Sequence, residues 1–204
     1  MKFHHFTFFV AIFLSGCSTV PDVKLTKENF EHLKTIKLES SESGNSILTV
    51  ISTVHLEGSG LTPVGGDGLG LKEKTLIFMD ENQVSLNQII QKQFSEKVEQ
   101  GNVKVVFDDS SPNRLVITLN HIVLGKAPGF PGSFDVRYNI TAQLLDGKEN
   151  ILWSYTPLIP FIAEGYSISL GELFSSEESM THFFSSASEP TVQRIYDHFM
   201  ENLI

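Results

Sequence analysis

From Phe134 to Leu144 apolar and polar residues alternate without a fault: Phe134, Val136, Tyr138, Ile140, Ala142 and Leu144 against Asp135, Arg137, Asn139, Thr141 and Gln143. A period of two over this length describes a strand with one face on a core and the other wetted. Such a strand requires an apolar cover for one side of its sheet. Asp80 to Gln100 supplies one, because Leu86, Ile89, Ile90, Phe94 and Val98 recur at helical spacing opposite Gln91, Ser95, Glu96 and Glu99. Asn82 or Ser85 suits the helix start, and Gly101 suits the left-handed position after its end. A second cover follows Ser175. Ser176 caps Glu177 to Ser186, and Pro190 opens a further segment with Val192, Ile195, Tyr196, Phe199, Met200 and Leu203 on one side.

The other strands read by the same rule. Ser46 to Leu56 is rich in β-branched residues with apolar groups on both faces, and Thr35 to Ser40 can pair beside it as an edge strand. Val103, Val105 and Phe107 form one strand face, and Asp108 to Asn113 makes a turn. Leu115, Ile117 and Leu119 then mark the strand Arg114 to Leu124, and Asp146-Gly147 turns the long strand into Ile151, Trp153 and Tyr155. Pro157 and Pro160 interrupt the pattern, before a brief strand at Tyr166, Ile168 and Leu170. The fold expected is α+β: an antiparallel sheet built as strand, helix, four-strand meander and C-terminal helix, with the helices packed on one face. Between the first strand and the first helix, Gly58 to Gly70 is glycine-rich. No Gly-Lys-Ser or Gly-Lys-Thr follows it, and Leu71 to Met79 reads as extended, so it is a surface loop rather than a phosphate cradle.

The amino terminus is of another kind. Lys2, His4 and His5 precede the apolar run Phe6 to Leu14, too short to span a bilayer, and small residues lead to Cys17, the one cysteine of the chain. Leu14-Ser15-Gly16-Cys17 resembles the lipobox of bacterial lipoproteins. The resemblance implies diacylglycerol on the Cys17 thiol, removal of the preceding peptide and acylation of the new amino terminus. Three acyl chains exceed what stable anchoring needs. In the family's sorting rule an Asp after the cysteine retains the protein at the inner membrane. Ser18 stands there, and implies the outer membrane, facing the periplasm. The chain divides into signal peptide 1–16, lipidated tether 17–45 and a single periplasmic domain 46–204.

With Cys17 lipidated no disulfide can form, so burial and hydrogen bonds must hold the domain. The formal charge of −9 becomes −10 without Lys2, and repels phosphate backbones, which argues against nucleic acid as a partner. None of the common catalytic templates is present. The mature histidines, His32, His55, His121, His182 and His198, lack metal-ligand spacing, so neither metal nor other cofactor is expected. A hydrolase reading rests on Asp108, Asp109 and His121 alone, and the two carboxylates beside Ser110, Ser111 and Pro112 are what a turn uses. Apolar loops remain: Phe130 between Pro-Gly pairs, and Leu158, Ile159, Phe161 and Ile162 around Pro160, are candidate contacts for a protein partner in the envelope.

The order of elements is similar to that of small envelope lipoproteins: the LPS-assembly lipoprotein of the outer-membrane translocon, the YajG-like lipoproteins and the auxiliary lipoproteins of ABC transporters. Gln100-Gly101-Asn102-Val103 and Val136-Arg137-Tyr138-Asn139-Ile140 resemble the YajG-like group. The glycine-rich insertion and Pro157 to Leu170 depart from it. The function expected is non-enzymatic: an accessory or scaffold subunit of an outer-membrane or trans-envelope complex. The alternative is a carrier or sensor holding an apolar ligand, lipid or peptidoglycan-derived, between helices and sheet, with Phe94, Trp153 and Phe199 lining the gap.

Overall fold

The computed structural model describes residues 23–26, 33, 35–42, 48–51, 54–57, 60–63, 68–101, 105–127, 132–159 and 166–202. Its strands are β1 Thr35–Glu42, β2 Leu48–Ile51, β3 Val54–Glu57, β4 Gly60–Pro63, β5 Val106–Phe107, β6 Arg114–Lys126, β7 Ser133–Leu145, β8 Ile151–Tyr155 and β9 Ile168–Ser169. Four helices are described: α1 Gly68–Glu81, α2 Leu86–Gln100, α3 Leu170–Leu173 and α4 Glu177–Glu201.

The class is α+β, but the sheet is mixed. Its order is β5-β1-β6-β7-β8, with β2 also on β6 and β9 also on β7. β6, β7 and β8 are antiparallel neighbours, whereas β1 and β2 run parallel to β6 and β5 runs parallel to β1. The expectation of a purely antiparallel sheet fails because helices lie between β2 and β6. A helical connection returns the chain to the end from which it left, so the next strand points the same way. The expected four-strand meander is therefore three strands, with β1 inserted between β5 and β6. Thr35–Glu42, read as part of the tether, is that inserted strand. The loop from Asp108 to Asn113 crosses it, with Asp108 N–H donating to the Ile36 carbonyl, Ser111 Oγ to that of Thr35 and Lys37 N–H to that of Asn113. The single strand expected over Ser46 to Leu56 is also divided, since β2 joins the sheet and β3 pairs with β4 in a separate hairpin.

β6 carries a change of phase. Leu115, Ile117 and Leu119 are buried, then Ile122 and Leu124, because one extra residue enters between Leu119, opposite Ile140, and His121, opposite Asn139. A bulge of this kind moves the inward set from odd to even positions without breaking the ladder. The extra residue is Asn120, whose Nδ2 donates to Thr141 Oγ1 at 2.8 Å and Asn139 Oδ1 at 3.2 Å.

α2 and α4 cover the apolar face of the sheet. Phe94, Phe183, Phe184, Phe199 and Trp153 are fully buried, and buried Tyr138 donates its hydroxyl to the Phe184 carbonyl at 3.0 Å. The helices are bound to one another by Lys97 with Glu189 (2.8 Å) and by Gln93, which donates to Ser185 and accepts from buried Ser188 (2.7 Å). Ser85 and Ser176 cap α2 and α4 as expected. α4 runs unbroken through Pro190, where two segments were expected. A proline inside a helix removes one amide donor and presses on the carbonyls of the preceding turn. The carbonyl four residues back, that of Ser186, loses its helical donor, while the neighbouring Ser185 carbonyl accepts from Gln93 Nε2 and Ser188 Oγ.

Gly101 is not left-handed: its φ of −77° and ψ of 144° are extended. Glycine instead leaves room for the Tyr196 hydroxyl, which a Cβ at this position would displace. α1 occupies the stretch expected to be extended, packing Leu71, Phe78 and Met79 on the core with buried Thr75 between them. Thr75 Oγ1 donates back to the Leu71 carbonyl, which lets its hydroxyl be buried.

Candidate functional site

Of the residues expected to contact a partner, Leu158 and Ile159 are described, and they lie just beyond β8. Val23 and Ser154 exchange backbone hydrogen bonds of 3.2 and 3.0 Å in an antiparallel bridge. Leu25 and Leu33 are buried in the core cluster. The described part of the amino-terminal segment is therefore built into the domain. Beyond Tyr155, Thr156 shares a hydroxyl hydrogen bond with Thr141 at 2.8 Å, Pro157 is buried, and the chain then presents Leu158 at 92% exposure and Ile159 at 45%. The expected partner contacts Phe130, Phe161 and Ile162 lie outside the described residues, as do Cys17 and Ser18. Leu76 and Ile77 of α1 form a second exposed apolar pair, which an extended reading of that stretch does not reveal.

A cleft of about 410 Å³, polar and apolar in equal parts, lies between α2 and the strands β1 and β5, lined by Leu38, Gln88, Gln91, Lys92, Ser95, Phe107 and Asp109. Gln91 is committed to its wall, donating to the Leu38 carbonyl at 3.1 Å and accepting from Ser40 Oγ. The cleft offers amides, one ammonium and one carboxylate, a set suited to holding a polar group. Sequence periodicity places Gln91 and Lys92 on a wet helix face. That they also edge a cleft depends on β1 entering beside β5, which periodicity does not encode.

Asp108, Asp109 and His121 are not brought together. Asp108 accepts from Ser110 N–H and Oγ (2.9 and 2.7 Å), and these hydrogen bonds hold its carboxyl below the usual range. Asp109 lines the cleft on the helix side of the sheet. His121 lies on the opposite face, seven residues along β6 from Arg114, roughly 23 Å at the strand rise. Among the described residues no group of three or more His, Cys, Asp or Glu is placed to hold a metal ion.

The opposite face of the sheet is polar. At one end Glu39 accepts from Lys37 (3.0 Å) and Arg114 (2.7 Å), and Arg114 also pairs with Glu149. The hydrogen bonds from Lys37 and then Arg114 hold the Glu39 carboxyl below its ordinary value. Asp135 is the reverse case. It is 4% exposed, its Oδ1 finds no hydrogen-bond donor among the described residues, and burial raises its pKa against the partial relief of Arg137 at 3.9 Å.

His198 has a packing role. Its ring stacks on Tyr155 at 3.9 Å, and its Nδ1 accepts from Trp153 Nε1–H at 3.2 Å. Next to it the place expected to hold an apolar ligand is filled: Phe199 meets Trp153 edge to face at 5.2 Å and Phe94 at 6.0 Å. Among the described residues no helix is long and apolar enough to cross a membrane.

No family model matches the chain, and no curated protein matches it in sequence. Among solved structures it is similar to the crystal structure of protein XCC0632 from Xanthomonas campestris, described under family DUF330. That likeness has 10% identity over 83% of this chain and 89% of the other, with a TM-score of 0.41. It is also similar to the solution structure of uncharacterized lipoprotein B from Nitrosomonas europaea, at 15% identity over 80% and 83% of the two chains and a TM-score of 0.29. Neither score reaches the level of a shared fold.

Proposed function

We propose that this chain is a non-enzymatic, lipid-anchored envelope protein that serves as an accessory or scaffold subunit of an outer-membrane or trans-envelope complex. Leu14-Ser15-Gly16-Cys17 supports the anchor, and Ser18 supports the outer membrane, with the domain facing the periplasm. The observation that carries accessory over carrier is the closed core. Phe94, Trp153 and Phe199 bury one another, so the helix–sheet gap that a carrier would open is occupied by the protein's own rings. The polar groups considered for catalysis have structural tasks or stand apart, which favours a surface function over a chemical one. The experiment is a pull-down of the lipidated chain from solubilised envelope membranes. A stoichiometric protein partner is expected, and recovery of the lipidated monomer alone would count against the reading.

A further inference from the structure

We propose that the β8 edge is the membrane-facing side of the domain, with Leu158 and Ile159 dipping into the lipid surface beside the acyl chains on Cys17. The proposal rests on the lipid-anchor reading and adds an orientation to it. Val23 pairs antiparallel with Ser154 of β8, the strand that runs on to Leu158. Six residue steps separate Cys17 from Val23, which limits the anchor to about 20 Å from that bridge even when fully extended. Leu158 is four steps beyond Ser154, within roughly 14 Å of the same bridge by the same limit. Anchor and exposed leucine are thus tied to one point on a rigid strand.

The local chemistry fits a lipid surface. Ile151 to Ala163 contains no charged residue, in a chain whose net charge of −9 elsewhere opposes contact with anionic head groups. Leu158 at 92% and Ile159 at 45% exposure stand on buried Pro157, and apolar side chains held in this way are suited to the head-group boundary. The other exposed apolar pair, Leu76 and Ile77, sits among Lys72, Glu73, Lys74, Asp80 and Glu81. Val106, also exposed, is on β5 at the opposite edge of the sheet, four strand spacings or roughly 19 Å away.

The test uses the full lipidated chain. Acylation blocks Cys17, the native cysteine, so Leu158→Cys offers a single thiol for an environment-sensitive fluorophore, and Val106→Cys offers the control. In vesicles of phosphatidylethanolamine and phosphatidylglycerol, the label at 158 is expected to shift its emission to the blue and be quenched by brominated acyl chains, while the label at 106 does neither. An acylated Cys17 with a label at 158 as wet as that at 106 overturns the orientation and leaves the anchor standing. An unacylated Cys17, read from the mass of the amino-terminal peptide, overturns both. Shielding at 158 that appears only when solubilised envelope proteins are added makes this edge a protein interface and also overturns the proposal.

Discussion

At the scale of single residues, two carboxylates on one sheet face respond to pH in opposite directions. Asp135 is destabilised as an anion by burial, so its folded pKa is raised. Its favourable contribution is complete below the unfolded pKa and is lost as pH rises through the folded value, above which the charge is a cost. Asp135→Asn should therefore stabilise the domain at neutral pH by on the order of 1 kcal/mol, the scale of a buried polar atom left without a partner. That advantage should vanish in denaturation measured below about pH 4, where the native carboxyl is protonated. Glu39 carries the opposite sign. Hydrogen bonds from Lys37 and Arg114 lower its pKa, so its contribution is present above the ordinary carboxylate range and is lost as pH falls through the folded value. Glu39→Gln should cost at most about 1 kcal/mol at neutral pH, given the partial exposure of these pairs, and nothing once the native carboxyl is protonated. Parallel urea titrations from acidic to neutral pH decide both. An Asp135→Asn variant less stable than the native chain at pH 7 would mean that the carboxylate has a donor outside the described residues.

At the scale of elements, the bulge in β6 is the most exacting device. Asn120→Ala removes two hydrogen bonds and should cost about 1 to 2 kcal/mol, whereas deleting Asn120 forces either Leu115, Ile117 and Leu119 or Ile122 and Leu124 out of the core. The deletion should abolish cooperative thermal unfolding, and a well-folded product would show that the two halves of the strand are not bound to one phase. The change of phase is legible in the residues themselves, since the apolar positions pass from odd to even at Asn120. Legibility ends where an element depends on distant partners. β7 and the capped starts of α2 and α4 follow from local alternation and local hydrogen bonds, and the sequence shows them. The parallel placement of β1, the helical state of α1 and the continuity of α4 through Pro190 depend on contacts made elsewhere in the chain. In α1 the exposed Leu76 and Ile77 blur the helical stripe into the apolar run Leu76 to Met79. For the same reason the cleft beside Gln91 was hidden, while the exposed Leu158 and Ile159 were visible as apolar residues beside prolines.

At the scale of the whole molecule, the aromatic core is closed and Val23 bridges to β8, an arrangement that in the proposed reading carries the domain near its anchor. Phe199→Ala should cost about 3 to 5 kcal/mol, because Phe94 and Trp153 lose the ring between them. A loss below about 1 kcal/mol in the same titration would show a core loose enough to collapse around the deletion, and would restore the carrier reading. The claim on which the functional account stands is acylation of Cys17. Its most direct measurement is labelling with radioactive palmitate, together with the mass of the amino-terminal peptide, for the native chain and Cys17→Ser. The account predicts a native chain that is labelled and begins at Cys17, and a variant that is unlabelled, retains Met1 to Gly16 and keeps a protease-resistant domain. Equal labelling of the two would place the anchor elsewhere. Loss of protease resistance in the variant would make Cys17 a structural residue and contradict the account.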